Sequence, residues 1–178
     1  MSKFLDGNGV HIKVKRDYIV FIIPALVVIV LDQVSKLIVA GSIKYYESIP
    51  VIEGFFNLVH VRNRGMAFGL MNRPDAQFTF YFLIAATITV VILLFFWVDS
   101  LKGRDRRMIL GLSLIVGGAV GNLIDRIRLK EVIDFLDFFI GKYHWPAFNL
   151  ADSSITVGAL WVAINIFFFS SSNDKKTD

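Results

Sequence analysis

Apolar residues fall in long blocks along this chain, with charges gathered between them. Tyr18 to Ala40 is mostly apolar, broken by Asp32, Gln33, Ser35 and Lys36. Phe78 to Val98 carries no charge at all. Met108 to Ile127 stays apolar until Asp125 and Arg126, and Asn149 to Phe169 is interrupted chiefly by Asn149 and Asp152. A helix needs about 20 residues to cross a bilayer. The pattern therefore predicts four membrane spans, roughly 18–40, 78–98, 108–127 and 149–169, joined by connections 41–77 and 128–148. They read as one integral membrane domain over 1–178. Ile19–Leu31 could also serve as the apolar region of a cleaved signal peptide, but Asp32 and Lys36 stand where small residues are expected.

The connections have patterns of their own. Residues 49–72 alternate and are rich in Val, Ile and Phe, which predicts a small sheet lying on the membrane. Residues 128–148 carry Phe135, Phe138, Phe139, Tyr143 and Trp145, a composition suited to the lipid–water interface.

Composition strengthens the membrane reading. Of the 178 residues, 55% are apolar and 19% charged, against about 25% charged in soluble domains. The net charge of +4 does not point to nucleic acid, because the basic residues sit in short segments between apolar blocks. The absence of cysteine removes disulfides, thiolate metal sites and a cysteine nucleophile.

Loop charge sets an expected orientation. Lys3, Lys13, Lys15, Arg16, Lys102, Arg104, Arg106, Arg107, Lys175 and Lys176 lie on one side. Lys44, Arg62, Arg64, Arg73, Arg126, Arg128, Lys130 and Lys142 lie on the other, spread over longer segments. The dense loop 99–107 favours both termini in the cytoplasm. Asp32, Lys36, Asn63, Arg64, Asn122, Asp125, Arg126, Asp134, Asp137, Asn149 and Asp152 then collect at the outer face, leaving only loop charges at the inner ends. Ionisable groups at membrane depth are costly, by about 2.5–3.5 kcal/mol at the bilayer centre, and are functional candidates by default. The bland reading is helix termini and snorkelling: Asp32 and Lys36 are spaced to pair along one helix face, and Asn149 could cap the fourth helix.

Elimination narrows the chemistry. There is no HExxH, and His11, His60 and His144 are scattered, which disfavours a zinc hydrolase. There is no GxSxG elbow. Ser153 and Ser154 could serve a Ser–Lys nucleophile with Lys36, but small hydroxyls in a membrane helix more often bond the backbone. Gly117, Gly118 and Gly121 lack the strand and GK[ST] ending of a phosphate loop and read as a close-packing helix face, together with Gly111. What remains is carboxylates: two aspartates sharing a proton can act as acid and base on a water. The residues leave Asp125, Asp134, Asp137 and Asp152 as candidates, with Asp32 an outlier, and do not choose the pair.

Five runs in order carry a resemblance: Asp32-Gln-Val-Ser-Lys36, Arg62-Asn-Arg-Gly-Met-Ala-Phe-Gly69, Gly117-Gly-Ala-Val-Gly-Asn-Leu-Ile-Asp-Arg126, Val132-Ile-Asp-Phe135 and Pro146-Ala-Phe-Asn-Leu-Ala-Asp-Ser-Ser154. The chain resembles the bacterial lipoprotein signal peptidases, also called signal peptidase II. The resemblance implies an all-α membrane protein with four transmembrane helices, a small extracytoplasmic β-sheet acting as a cradle, and an interfacial helix or loop, with 135–145 as a flexible cover. It implies an aspartic endopeptidase of the bacterial inner membrane, cleaving diacylglyceryl-modified prolipoproteins before the lipidated cysteine. Asp134 and Asp152 match the catalytic pair. Asp32, Lys36, Asn63, Arg64, Asn122, Asp125, Arg126 and Asn149 are expected as support and substrate-positioning groups. No metal or cofactor is expected; the expected partners are the precursors and membrane lipids, not nucleic acid, and the expected state is a monomer. The competing readings are a proton- or ion-coupled transporter, which intramembrane carboxylates also suit, and a non-catalytic scaffold.

Overall fold

The computed structural model describes residues 7–65, 77–102 and 105–169. Residues 66–72 of the alternating segment, Met66 to Gly69 of the second run, and Lys3, Arg73, Arg104, Lys175 and Lys176 lie outside them. Four helices form: α1 (Gly7–Ser42), α2 (Gln77–Leu101), α3 (Arg106–Leu129) and α4 (Leu150–Phe169). All four are long and apolar enough to cross a membrane. α1, α2 and α3 run past their apolar blocks because caps, not hydropathy, end a helix. Asp105 accepts hydrogen bonds from the backbone N–H groups of Arg107 and Met108 at the start of α3, satisfying donors that the first turn leaves free. Lys130 closes α3 in the left-handed region, its N–H donating to the Arg126 carbonyl.

α3 is the central helix and packs against each of the other three. Its small residues make that possible. A Cβ on Gly117 would lie 2.8 Å from the Ala25 carbonyl oxygen of α1, and one on Gly121 would lie 2.7 Å from Asp32 Oδ2. A Cβ on Gly118 would run into the Ala151 carbonyl of α4, and one on Gly111 would meet Trp161 and Val162 at 2.8 Å. The glycine face expected from the sequence is thus used on two sides at once. Phe21, Val98, Met108, Ile109, Leu112, Val116 and Val162 form the buried core between the helices. Large apolar side chains along α1, α2 and α4 point outward, as a lipid solvent allows.

At one end of the bundle sits an antiparallel sheet ordered β1-β2-β3-β4, with β1 at Ser48–Ile52, β2 at Phe56–Asn63, β3 at Val132–Ile140 and β4 at Tyr143–His144. Its inner side packs Ile133 and Phe135 on Val39 and Ile43 at the end of α1. The expected sheet is present, but the segment between α3 and α4 departs from expectation. Residues 132–144, inside the connection 128–148 expected as an interfacial helix or loop with 135–145 as a cover, form a hairpin whose first strand lies inside the sheet. Val132 to Phe135 are all buried, so this half of the strand shows no alternation of buried and exposed positions. Residues 145–148 shield its other side, with Phe148 exchanging backbone hydrogen bonds with Leu136. A β-bulge between Leu58 and Val61 shifts the β2–β3 register, the kind of irregularity that re-aims side chains beside sites.

The other end of the bundle also corrects the sequence reading, which left it only loop charges. Asp17 is buried there and bound by Arg106 Nε, while Lys102 joins Asp99 and the Tyr18 hydroxyl.

Candidate active site

The polar cluster forms where the end of α1, the end of α3, the start of α4 and strand β3 converge. At the start of α4, Asn149 Oδ1 accepts from the Asp152 N–H at 3.0 Å, and the Asn149 N–H donates to Asp152 Oδ2 at 3.3 Å. This reciprocal bond is a capping box built from Asn and Asp. It fixes the Asp152 carboxylate in the first turn, and Asn122 Nδ2 donates to its Oδ1 at 2.8 Å.

Asp134 projects from β3 toward the same point. Asn149 Nδ2 donates to its Oδ1 at 2.7 Å and Asn63 Nδ2, from the end of β2, donates to its Oδ2 at 3.2 Å. Burial first, and the Asp152 charge second, push the Asp134 carboxyl up to about 7. The hydrogen bonds from Asn63 and Asn149 and the Lys36 charge oppose the shift.

Behind the two carboxylates lies a buried ionic group. Lys36 Nζ is 2.8 Å from Asp32 Oδ2, 2.9 Å from Asp125 Oδ2 and 2.9 Å from Asn122 Oδ1. Asp32 Oδ1 accepts the Ala151 N–H at 2.9 Å, an otherwise free donor in the first turn of α4. Asp125 accepts from Gln33 Nε2 at 2.9 Å and from the Ile133 N–H at 3.3 Å. Each charge is therefore paired and hydrogen-bonded, the condition under which buried charges persist.

Of the expected support residues, Asn63, Asn122 and Asn149 touch the two carboxylates directly. Asp32, Lys36 and Asp125 stand one bond behind them. Arg126 donates to the Asn122 and Gly65 carbonyls, and its charge acts on Asp152, Asp134 and Asp125. Arg64 is half-exposed, and its Nε donates to Glu131 Oε2, while Arg62 holds Glu131 Oε1. Glu131 and Gln33 were not singled out from sequence. Gln33 was visible as a polar interruption beside Asp32, whereas Glu131 sits just past the third apolar block and looks like an ordinary loop charge.

The fourth candidate carboxylate lies elsewhere. Asp137 is three residues from Asp134 on the same strand, which turns the two to opposite faces. It accepts from Asn57 Nδ2 at 3.1 Å and faces His144 Nδ1 at 2.8 Å. Ser153 Oγ donates to the Asn149 carbonyl one turn back, while all three protons of the Lys36 ammonium are taken by Asp32, Asp125 and Asn122, so no Ser–Lys arrangement is assembled. Among the described residues no three His, Asp or Glu side chains are grouped to hold a metal ion.

Comparison with known proteins agrees with this geometry. Residues 24–168 match the family model described as Signal peptidase (SPase) II. The chain is 43% identical over 152 residues to a lipoprotein signal peptidase of Syntrophus aciditrophicus, covering 85% of this chain and 94% of that one. It is 49% identical over 152 residues to one from Oleidesulfovibrio alaskensis, covering 85% and 96%. A solved bacterial membrane enzyme superposes with a TM-score of 0.75 at 35% identity, covering 88% of this chain and 92% of that one. None of these matches supports the ion-coupled transporter. The four spanning helices, the sheet at their end and the matched family model together show that this multi-pass membrane protein belongs to the signal peptidase II family and is a peptidase.

Proposed function

We propose that the chain removes signal peptides from diacylglyceryl-modified prolipoproteins, cutting before the lipidated cysteine, with Asp134 and Asp152 as the catalytic pair. The observation that carries the assignment is Asn149, whose side-chain Nδ2 donates to the Asp134 carboxylate while its backbone N–H donates to that of Asp152. Among the described residues Asp125 instead shares Lys36 and Gln33 with Asp32, and Asp137 is held by Asn57 and His144. Asp134, with its carboxyl pushed up to about 7, holds the shared proton. Asp152, fixed in the first turn of α4 by Asn122 and the Asn149 N–H, acts as the base. A water between them attacks the scissile carbonyl carbon: Asp152 takes the water proton, and Asp134 gives its proton to the carbonyl oxygen. Collapse of the resulting diol breaks the C–N bond, Asp152 passes its proton to the departing amine, and a hydroxyl proton returns to Asp134. No covalent enzyme intermediate forms.

The same reading places this end of the bundle at the outer face of the bacterial inner membrane, with both termini in the cytoplasm. It takes the whole chain as one domain and a monomer in contact with membrane lipids. A lipid-bearing cysteine arriving along the bilayer then meets the pair at the interface, with Asn63, Arg64 and Arg126 on the side that receives substrate. Cleavage of a lipidated precursor by purified Asp134→Asn and Asp152→Asn variants is the deciding assay; retained cleavage in either overturns the pair. Because the chain has no cysteine, single cysteines placed at each terminus and in β1 report sidedness through an impermeant thiol reagent.

A further inference from the structure

We infer that Lys36 is a positioning residue whose ammonium fixes the orientation of two asparagine amides, Asn122 and Asn149, so that both present N–H groups to the aspartate pair. The inference rests on the reading of Asp134 and Asp152 as that pair.

The argument is one of donors and acceptors. An ammonium has three donors and no acceptor. Lys36 Nζ spends them on Asp32 Oδ2, Asp125 Oδ2 and Asn122 Oδ1. Asn122 must therefore turn its oxygen to Lys36, and only its Nδ2 is left to face Asp152 Oδ1. Asn122 Oδ1 also accepts from Asn149 Nδ2 at 3.2 Å. Asn149 thereby has its nitrogen on the Asn122 side, where it reaches Asp134 Oδ1 and the Ile133 carbonyl as well. Its oxygen is left for the Asp152 N–H. A free amide can flip by half a turn at little cost, since oxygen and nitrogen occupy the same shape. Here a flip of Asn122 would set its NH₂ against an ammonium and its oxygen against a carboxylate. Asp32 and Asp125 hold the ammonium in place, and themselves bond the Ala151, Ile133 and Gln33 donors. One cation, which is 2% exposed and touches neither carboxylate of the pair in any of these bonds, thus directs a donor onto each.

The test compares Lys36→Met and Lys36→Arg with the wild type in detergent micelles, using a synthetic lipidated precursor peptide and full pH–rate profiles. The charged groups acting on Asp134 are Asp152 and Lys36, with Arg126 acting on both aspartates. For Lys36→Met the expected result is a kcat about 100-fold lower, the loss typical of misplaced catalytic groups, with KM little changed. The Asp134 limb of the profile should also move up by about one unit as a nearby positive charge is lost. Lys36→Arg keeps the limb in place while recovering only part of kcat. Unchanged kcat with an unmoved limb in Lys36→Met overturns the inference. Should Lys36→Met fail to fold with Asp32 and Asp125 unpaired, the neutral triple variant Asp32→Asn, Lys36→Met, Asp125→Asn replaces it. Recovery of wild-type kcat there shows a structural role alone and overturns the inference; a stable protein with kcat still depressed supports it. Asp134→Asn and Asp152→Asn run alongside: if they cleave, the aspartate reading has failed, whereas inactive aspartate variants beside a fully active Lys36→Met defeat the amide orientation alone.

Discussion

Asn149 and Asp152 cap each other at the start of α4, each side chain bonding the other's backbone N–H. The same bonds that begin the helix hold a carboxylate of the proposed pair. Asn149→Ala should therefore lose about 0.5–2 kcal/mol of stability as a lost cap and lower kcat far more than that loss explains. Thermal melts and cleavage kinetics on the same preparation separate the two effects.

Removing either carboxylate should cost about 10²–10⁴-fold in kcat, the usual contribution of a general acid or base, with the fold retained. Asp137→Asn is the matched control. Its carboxylate is bound by Asn57 and His144 on the other face of β3, so kcat should stay at the wild-type value even where stability drops. A kcat collapse in Asp137→Asn equal to that of Asp134→Asn would point to the wrong partner.

The raised Asp134 value has a direction for both rate and stability. A carboxyl that binds its proton more tightly folded than unfolded adds stability at low pH, and that gain is lost as pH rises from its ordinary value of 3.8 through about 7. Rate should follow the same group: cleavage holds below about pH 7 and declines above it as the shared proton is lost. In Asp134→Asn the stability step disappears, so its melting temperature relative to wild type should climb between mildly acidic and mildly alkaline buffer. A flat difference would mean Asp134 is not the group that keeps its proton.

Gly118 faces the Ala151 carbonyl so closely that a methyl group cannot be added without moving α4. Gly118→Ala should destabilise by about 1–3 kcal/mol as an overpacked contact and displace Asp152 with its helix. Gly141, with open space around its Cβ position though a left-handed φ of 59°, should lose stability on substitution only through its backbone, with kcat preserved. Melts and kinetics on both variants check this.

The helices were legible because spanning a bilayer demands apolar length, which no soluble helix needs. Their true ends were not, since Asp105 and Lys130 act as caps beyond the apolar blocks. β3 escaped notice for the opposite reason: buried on both faces in its first half, it shows no alternation, and its aromatic residues looked interfacial. The bare residues could place the carboxylates at one end but could not sort them. The resemblance named the pair, and the register that turns Asp137 from Asp134, with the contacts that commit Asp125 to Lys36 and Gln33, supports that choice. Asp17 was missed because a buried aspartate beside a basic flank looks like any solvated charge until Arg106 is seen folded onto it.

Lys36 and Asp32 lie one turn apart on α1, so each neutralises the other with no help from the rest of the chain. The groups that complete their hydrogen bonds, on α3 and at the start of α4, are translated later, because a chain emerges N-terminus first. The first span therefore enters lipid as a self-neutralised unit with unfilled bonding capacity at a fixed depth. Later spans that settle a turn too high or too low leave that capacity open in hydrocarbon, where it is most costly. The ionic group is thus fully bonded only when α1, α3 and α4 meet in the observed register.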